Sequence, residues 1–124
     1  MDTSKTYIKM CERAEEIQSI RTSQNTYKAG FGCGDIKSNI WFDSEGDFLY
    51  MVDEEKSIWL PRQDQLQEML LAERYEEKYD LCSIFAAYLF DKPDIMSMEQ
   101  LWLAFVMKEK YNKSWNGTDW ELNA

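Results

Sequence analysis

The sequence predicts an α+β domain: a small antiparallel meander packed against three to four helices, with a C-terminal Trp-Asn-Gly hairpin. Three observations predict it. Apolar residues recur at helical spacing over 4–21 and 98–111, short alternating runs separated by acidic turns fill 36–60, and the period switches from near two to near 3.6 around Pro61. With 124 residues, 44% of them apolar and 15% aromatic, the chain is long enough to close one core, so a single compact domain over 1–124 is expected. Five Gly and two Pro exclude collagen-like and low-complexity classes.

Tyr7, Met10, Cys11, Ala14 and Ile17 form one stripe, with Lys9, Glu12, Glu15, Glu16 and Ser19 opposite, which predicts an amphipathic helix from 4 to about 21. Thr3 or Ser4 can cap it, because either hydroxyl accepts from a free first-turn N–H. GFGCGD follows. A phosphate-cradling loop needs such glycines ahead of a helix, but IKSNIWF continues as a strand, so the glycines read as a turn or bulged strand. Strands are expected at 36–42, 47–52 and 57–60, with Ile40, Phe42, Phe48, Tyr50, Val52, Ile58 and Leu60 on one face.

Pro61 suits the start of a helix, since its fixed φ and missing N–H cost nothing in the first turn. Leu66, Met69 and Leu70 share a face of that helix, running from about 62, but Glu73, Glu77 and Asp80 then arrive on it. A helix end, a kink or a change of partner is therefore expected around ERYEEKYD. LCSIFAAYLF, apolar almost throughout, predicts a buried helix stopped by Asp91, Lys92 and Pro93. Ser97 and Gln100 form a capping-box pattern that opens a helix over 98–111, expected to be the most buried. Its main face is Met98, Leu101, Trp102, Phe105 and Val106, widened by Leu103, Ala104 and Met107. Asn116-Gly117 predicts a two-residue type I′ hairpin that pairs Trp115 with Thr118 and sets Trp120 diagonal to Trp115. A hairpin so short needs its indoles docked, on its own helix or on a partner.

The absence of His removes every imidazole triad and the commonest zinc ligand. Cys11, Cys33 and Cys82 are scattered and odd in number, so they form neither a redox motif nor a tetrahedral metal site. Cys11 and Cys82 read as small buried hydrophobes and Cys33, between glycines, as the exposed one. Asp43, Glu45, Asp47 and Glu54 take positions 1, 3, 5 and 12 of a calcium loop, yet Phe48 stands where the sharp turn needs Gly. No catalytic residue, metal or cofactor is expected. Asn112-Lys-Ser and Asn116-Gly-Thr are glycosylation sequons, accidental in a chain that is not secreted. No apolar run approaches the roughly 18 residues a bilayer span needs, and MDTSKTYIKM lacks the apolar core of a signal peptide. A cytoplasmic protein is expected.

Charge is unevenly spread. Residues 43–82 hold four Lys/Arg and twelve Asp/Glu, which is −8 of the net −9. Such a field repels phosphates and lipid headgroups, so direct binding to nucleic acid or a membrane is disfavoured and a basic protein partner is favoured. The candidate contact residues are Asp43, Glu45, Asp47, Asp53, Glu54, Glu55, Glu73, Glu76, Glu77 and Asp80, with Trp115 and Trp120 as aromatic candidates.

Two stretches, WLPRQDQLQEML at 59–70 and SMEQLWLAFVMKEKYNKSWNGTDW at 97–120, resemble segments of short uncharacterised proteins encoded by phages and prophages of gut bacteria. The resemblance covers roughly a third of the chain and carries no catalytic residue with it. It implies a setting, that of small mobile-element proteins that block or redirect host machinery. Two functions are then expected from the residues. In the first the protein inhibits a basic nucleic-acid-binding protein of the host or of a defence system, such as a CRISPR effector, by imitating nucleic-acid charge. In the second it is an adaptor or assembly protein of a phage or mobile element that holds its partner through exposed aromatics, Trp41 or Trp59 among them.

Overall fold

A computed structural model describes residues 2–23, 34–35, 40–42, 47–51, 57–71, 78–90 and 96–124. Backbone contacts divide the chain into two compact units, Thr3–Pro61 on the one hand and Met1–Asp2 with Arg62–Ala124 on the other. The α+β class is as the sequence predicts, with five helices, a four-stranded antiparallel sheet and a two-stranded hairpin among the described residues.

In the unit Thr3–Pro61 the first helix is interrupted. Instead of one helix over 4–21 there are two, α1 (Lys5–Arg13) and α2 (Glu15–Ser23), separated at Ala14 with φ −86° and ψ 75°. Ser4 is the N-cap, its hydroxyl accepting from Tyr7 N–H at 3.2 Å. The stripe survives the break: Tyr7, Met10, Cys11, Ala14 and Ile17 are all fully buried. The break has a local cause in the carbonyl of Cys11, which a continuous helix would bond to the N–H of residue 15. Here that carbonyl accepts instead from Ala14 N–H at 3.1 Å and from Gln18 Nε2 at 3.1 Å.

Four strands, β1 (Gly34–Asp35), β2 (Ile40–Phe42), β3 (Phe48–Met51) and β4 (Ser57–Leu60), pair antiparallel in chain order. Of the strand expected over 36–42, Ile40–Phe42 is β2 and 36–39 lie outside the described residues; Gly34–Asp35, in the glycine segment read as a turn or bulged strand, is a further short strand, with Asp35 opposite Ile40 and Gly34 opposite Trp41. Register aligns Phe42, Phe48 and Leu60 across the sheet, as well as Ile40, Tyr50 and Ile58, so the face read from the alternation is one face. Val52 lies outside the described residues. Burial is deeper than one face requires: Leu49 and Trp59, opposite each other on the other face, are 0% and 5% exposed, whereas Phe48 and Tyr50 are only half-buried.

The edge strand β4 is closed by a side chain. Gln18 Oε1 accepts from Trp59 N–H at 2.9 Å and Gln18 Nε2 donates to the Trp59 carbonyl at 2.9 Å, so one amide satisfies both backbone groups as a further strand would. Tyr7 adds a buried hydrogen bond from its hydroxyl to the Pro61 carbonyl at 2.6 Å. Together these two side chains tie α1 and α2 to β4, the strand both helices pack against.

In the other unit, α3 (Gln63–Leu71) starts just after Pro61, and Gln65 Oε1 accepts from Arg62 N–H at 2.8 Å in its first turn. Leu66 and Leu70 are buried; residues 72–77, where the loss of apolar phase predicts a helix end, a kink or a change of partner, lie outside the described residues. Next come α4 (Lys78–Leu89) and α5 (Met98–Tyr111). Every residue from Gln100 to Met107 is buried, which makes α5 the helix around which α3, α4 and the hairpin gather. Met98, expected on its main face, is exposed at the first turn. Phe85 of α4 lies flat on Trp102, centroids 3.6 Å apart, and both rings meet Phe105 edge-on.

Both ends of α5 are tied down. At the N-terminus Ser97 Oγ accepts from Gln100 N–H at 3.2 Å and itself donates to Asp2 Oδ2, which also takes Gln100 Nε2 at 2.8 Å. The Asp2 carboxylate therefore sits where the helix dipole favours negative charge. At the C-terminus Asn112 takes the left-handed conformation, φ 55° and ψ 44°. Its carbonyl accepts from Asn123 N–H at 2.8 Å, and Ser114 Oγ donates to Asn123 Oδ1 at 2.7 Å.

Gln18→Ala leaves Trp59 N–H, Trp59 C=O and one bond to Cys11 C=O unmade, and should lower stability by about 2 kcal/mol, the cost of stranding partly buried backbone groups. Gln18→Glu should lose at least as much, because a carboxylate cannot donate to two carbonyls. Urea denaturation followed by circular dichroism checks both; an unchanged midpoint for Gln18→Ala would remove the amide from this role.

Candidate partner-binding surface

Of the ten acidic candidates, eight (Asp43, Glu45, Asp53, Glu54, Glu55, Glu73, Glu76 and Glu77) lie outside the described residues, and with them the calcium-loop pattern and Cys33. Asp47 and Asp80 are described, and they differ. Asp80 is exposed in the first turn of α4, free to face a partner and favourably placed on the helix dipole. Asp47 is 7% exposed, so its carboxylate is turned away from any surface band. Among the described residues no three His, Cys, Asp or Glu side chains gather as a metal site would require. Among them, too, no helix is long and apolar enough to cross a membrane.

The C-terminal hairpin consists of β5 (Lys113–Trp115) and β6 (Trp120–Leu122), and its turn is one residue further along than the sequence predicts. Trp115 pairs directly with Trp120, not with Thr118, and Asn116 N–H donates to the Asp119 carbonyl at 3.0 Å, leaving Gly117 and Thr118 at the tip. The Asn116 side chain causes the shift. Its Oδ1 accepts from Thr118 N–H at 2.8 Å, Asp119 N–H at 2.8 Å and Thr118 Oγ at 3.0 Å, an Asx-type closure that holds the turn from within. Within the turn Gly117 alone takes a positive φ, 104°, whereas a type I′ turn over Asn116-Gly117 needs two.

The tryptophans do not act alike. Their ring centroids are 5.1 Å apart, but Trp120 is 7% exposed and Trp115 only half-buried. With β5 packed on α5, the hairpin docks on the protein's own helix. Trp59 is buried as well. Among the candidates whose burial is described, Trp115 is thus the indole that retains surface to offer; the exposure of Trp41 lies outside what is described.

A surface that the sequence hid lies on α4. LCSIFAAYLF buries one side only: Leu81 and Phe85 are covered and Tyr88 and Leu89 half-covered, while Cys82, Ser83, Ile84, Ala86, Ala87 and Phe90, together with Tyr79 just ahead of the run, are exposed. Tyr79 at 78% and Phe90 at 94% are large apolar groups in open solvent. The expected burial of the helix and of Cys82 is therefore corrected; Cys11 is buried as read. A run with no polar side gives the periodicity nothing to mark exposure by, so ten apolar residues look buried whichever face is covered.

No protein-family model, no curated protein and no solved structure matches this chain.

Two measurements check this surface. In the folded protein a maleimide should modify Cys82 at once and Cys11 only after denaturation, read by peptide mass spectrometry; equal rates would contradict the assigned burial. Trp120→Ala should destabilise by about 3 kcal/mol, the lower end for removing a buried indole, and Trp115→Ala by clearly less, both read from denaturation midpoints.

Proposed function

We propose that this chain is a small acidic, non-enzymatic protein of a phage or mobile element that binds and inhibits a basic nucleic-acid-binding protein of its host or of a defence system, a CRISPR effector being one such target. Its carboxylates take the place of nucleic-acid phosphates. The observation that carries this reading is the concentration of charge, −8 within residues 43–82. A nucleic-acid duplex carries one negative charge per about 1.7 Å of axis, so a rival for its groove needs many carboxylates along one stretch of surface. The segment holds twelve acids in forty residues to draw on, of which Asp47 is buried and Asp80 is exposed. The resemblance to phage and prophage proteins supports the setting, the host-cell cytoplasm, in which neither nucleic acid nor membrane is the direct partner. The adaptor reading through Trp115 and Trp120 has less to rest on, because Trp120 is packed inside.

Capture from a host lysate identifies the partner, and substitutions then test the contact. Glu73, Glu76 and Glu77 changed together to Lys should leave the fold intact, since surface charges contribute at most about 1 kcal/mol each. The same change should weaken binding at least roughly tenfold, equivalent to about 1.4 kcal/mol, while Trp115→Ala leaves it nearly unchanged. Normal binding by the charge-reversed protein together with loss in Trp115→Ala would transfer the function to the aromatic reading.

A further inference from the structure

We propose that the exposed face of α4 is where two copies of this chain meet, helix against helix and antiparallel. The proposal is independent of the inhibitor reading. At 100° per residue, Tyr79, Cys82, Ser83 and Ala86 of α4 fall within an arc of about 100°, with Ala87 at its margin; Phe90 follows the last residue of the helix in a turn, its N–H donating to the Ala87 carbonyl at 3.3 Å, and all six are exposed. Along the helix the order is aromatic, small, small, small, small, aromatic, which reads the same from either end.

That symmetry is what a twofold interface requires, because each residue must find its counterpart in the other copy of the same patch. Turned end for end about the midpoint between Ile84 and Phe85, Tyr79 meets Phe90 of the second copy, Cys82 meets Ala87 and Ser83 meets Ala86. The small residues at the centre let two helix axes approach to about 8 Å, the close end of helix packing. The aromatic rings then close over each end.

Charge decides the direction. Leu81–Phe90 holds no Asp, Glu, Lys or Arg, whereas the chain leading into α4 carries Glu73, Glu76 and Glu77 ahead of Asp80. Parallel helices would bring two such runs side by side. Antiparallel helices send them to opposite ends, with the two Asp80 residues about 13 Å apart along the axis, beyond the screening length of about 8 Å at physiological salt. Area decides the strength. Each ring has on the order of 150 to 250 Å² to bury, so four rings and the small residues between them cover on the order of 1,000 Å² over both copies, near the low end for specific interfaces. The dimer is accordingly weak and reversible, and the charge of −9 on each copy weakens it further at low salt.

Sedimentation equilibrium of the full chain, from low micromolar to submillimolar and at low and high salt, tests this. The mass should climb from 14.8 kDa toward twice that value with concentration, further at high salt. Phe90→Glu, alone or with Tyr79→Glu, should weaken association at least roughly tenfold with an unchanged circular dichroism spectrum. A second variant reads the register: with Cys33→Ser and Cys82→Ser in place, Ser83→Cys and Ala86→Cys together should yield a disulfide-linked dimer on mild oxidation. A single-chain mass at every concentration would overturn the proposal. A dimer that Phe90→Glu leaves intact would do the same, since it would be built elsewhere. Should the wild type stay monomeric while Phe90→Glu costs it a different protein, the face belongs to that protein and the proposal is wrong. Failure of the cysteine pair to link two chains would overturn the antiparallel register.

Discussion

A helix buried on every side has to be surrounded, and α5 sets that requirement for the unit it belongs to. Eight successive residues, Gln100 to Met107, are withdrawn from water, and each large apolar side chain so buried contributes about 1.5 to 3 kcal/mol relative to exposure. One neighbouring helix cannot cover a full turn of surface. Three elements do it together: α3 through Leu66 and Leu70, α4 through Leu81 and Phe85, and the C-terminal hairpin. The need also explains the attention to its ends. A helix terminus leaves backbone groups without intrahelical partners; Ser97 and Asp2 serve the N-terminus, and the left-handed Asn112, locked to Asn123, turns the chain back at the other.

The unit Thr3–Pro61 meets a different constraint. Its sheet ends on β4, and an unpaired edge exposes N–H and C=O groups that invite another strand. Gln18 answers with a single primary amide, which has a donor and an acceptor spaced as in a peptide group. To reach both Trp59 and the Cys11 carbonyl it must sit after a break at Ala14. The interrupted helix and the capped edge are therefore one arrangement. Its cost is the helical bond lost at Cys11, offset by three side-chain bonds and by the uninterrupted apolar stripe of α1 and α2.

What could be read from the sequence follows from this. The stripe at Tyr7, Met10, Cys11, Ala14 and Ile17, the shared sheet face and the span of α5 all come from periodicity, which reports which side of an element is covered. The break at Ala14 was not legible, because no Gly or Pro marks it and its partner, Trp59, is 41 residues beyond Gln18. The hairpin lies where the sequence predicts it, but its turn sits one residue further along than Asn-Gly alone implies, since backbone preference for Asn-Gly competes with the Asn116 side chain, which takes three donors for itself. The exposed face of α4 was hidden by the uniformity of its composition. Of the acids, position alone separated Asp80 from Asp47: one opens a helix at the surface, the other precedes β3 and is buried.

The same chain thus combines a charged middle third with an uncharged, exposed helix face, and the two have opposite responses to salt. Added salt screens attraction between carboxylates and a basic partner, but leaves apolar contact nearly unaffected. The most direct test of the inhibitor reading is therefore the affinity of the purified chain for its captured partner across a series of salt concentrations, with a nucleic-acid ligand of that partner as competitor. The account predicts a logarithm of affinity that falls steeply and linearly with the logarithm of salt, and mutual exclusion with the nucleic acid. A flat dependence, or a partner that holds both at once, would contradict it.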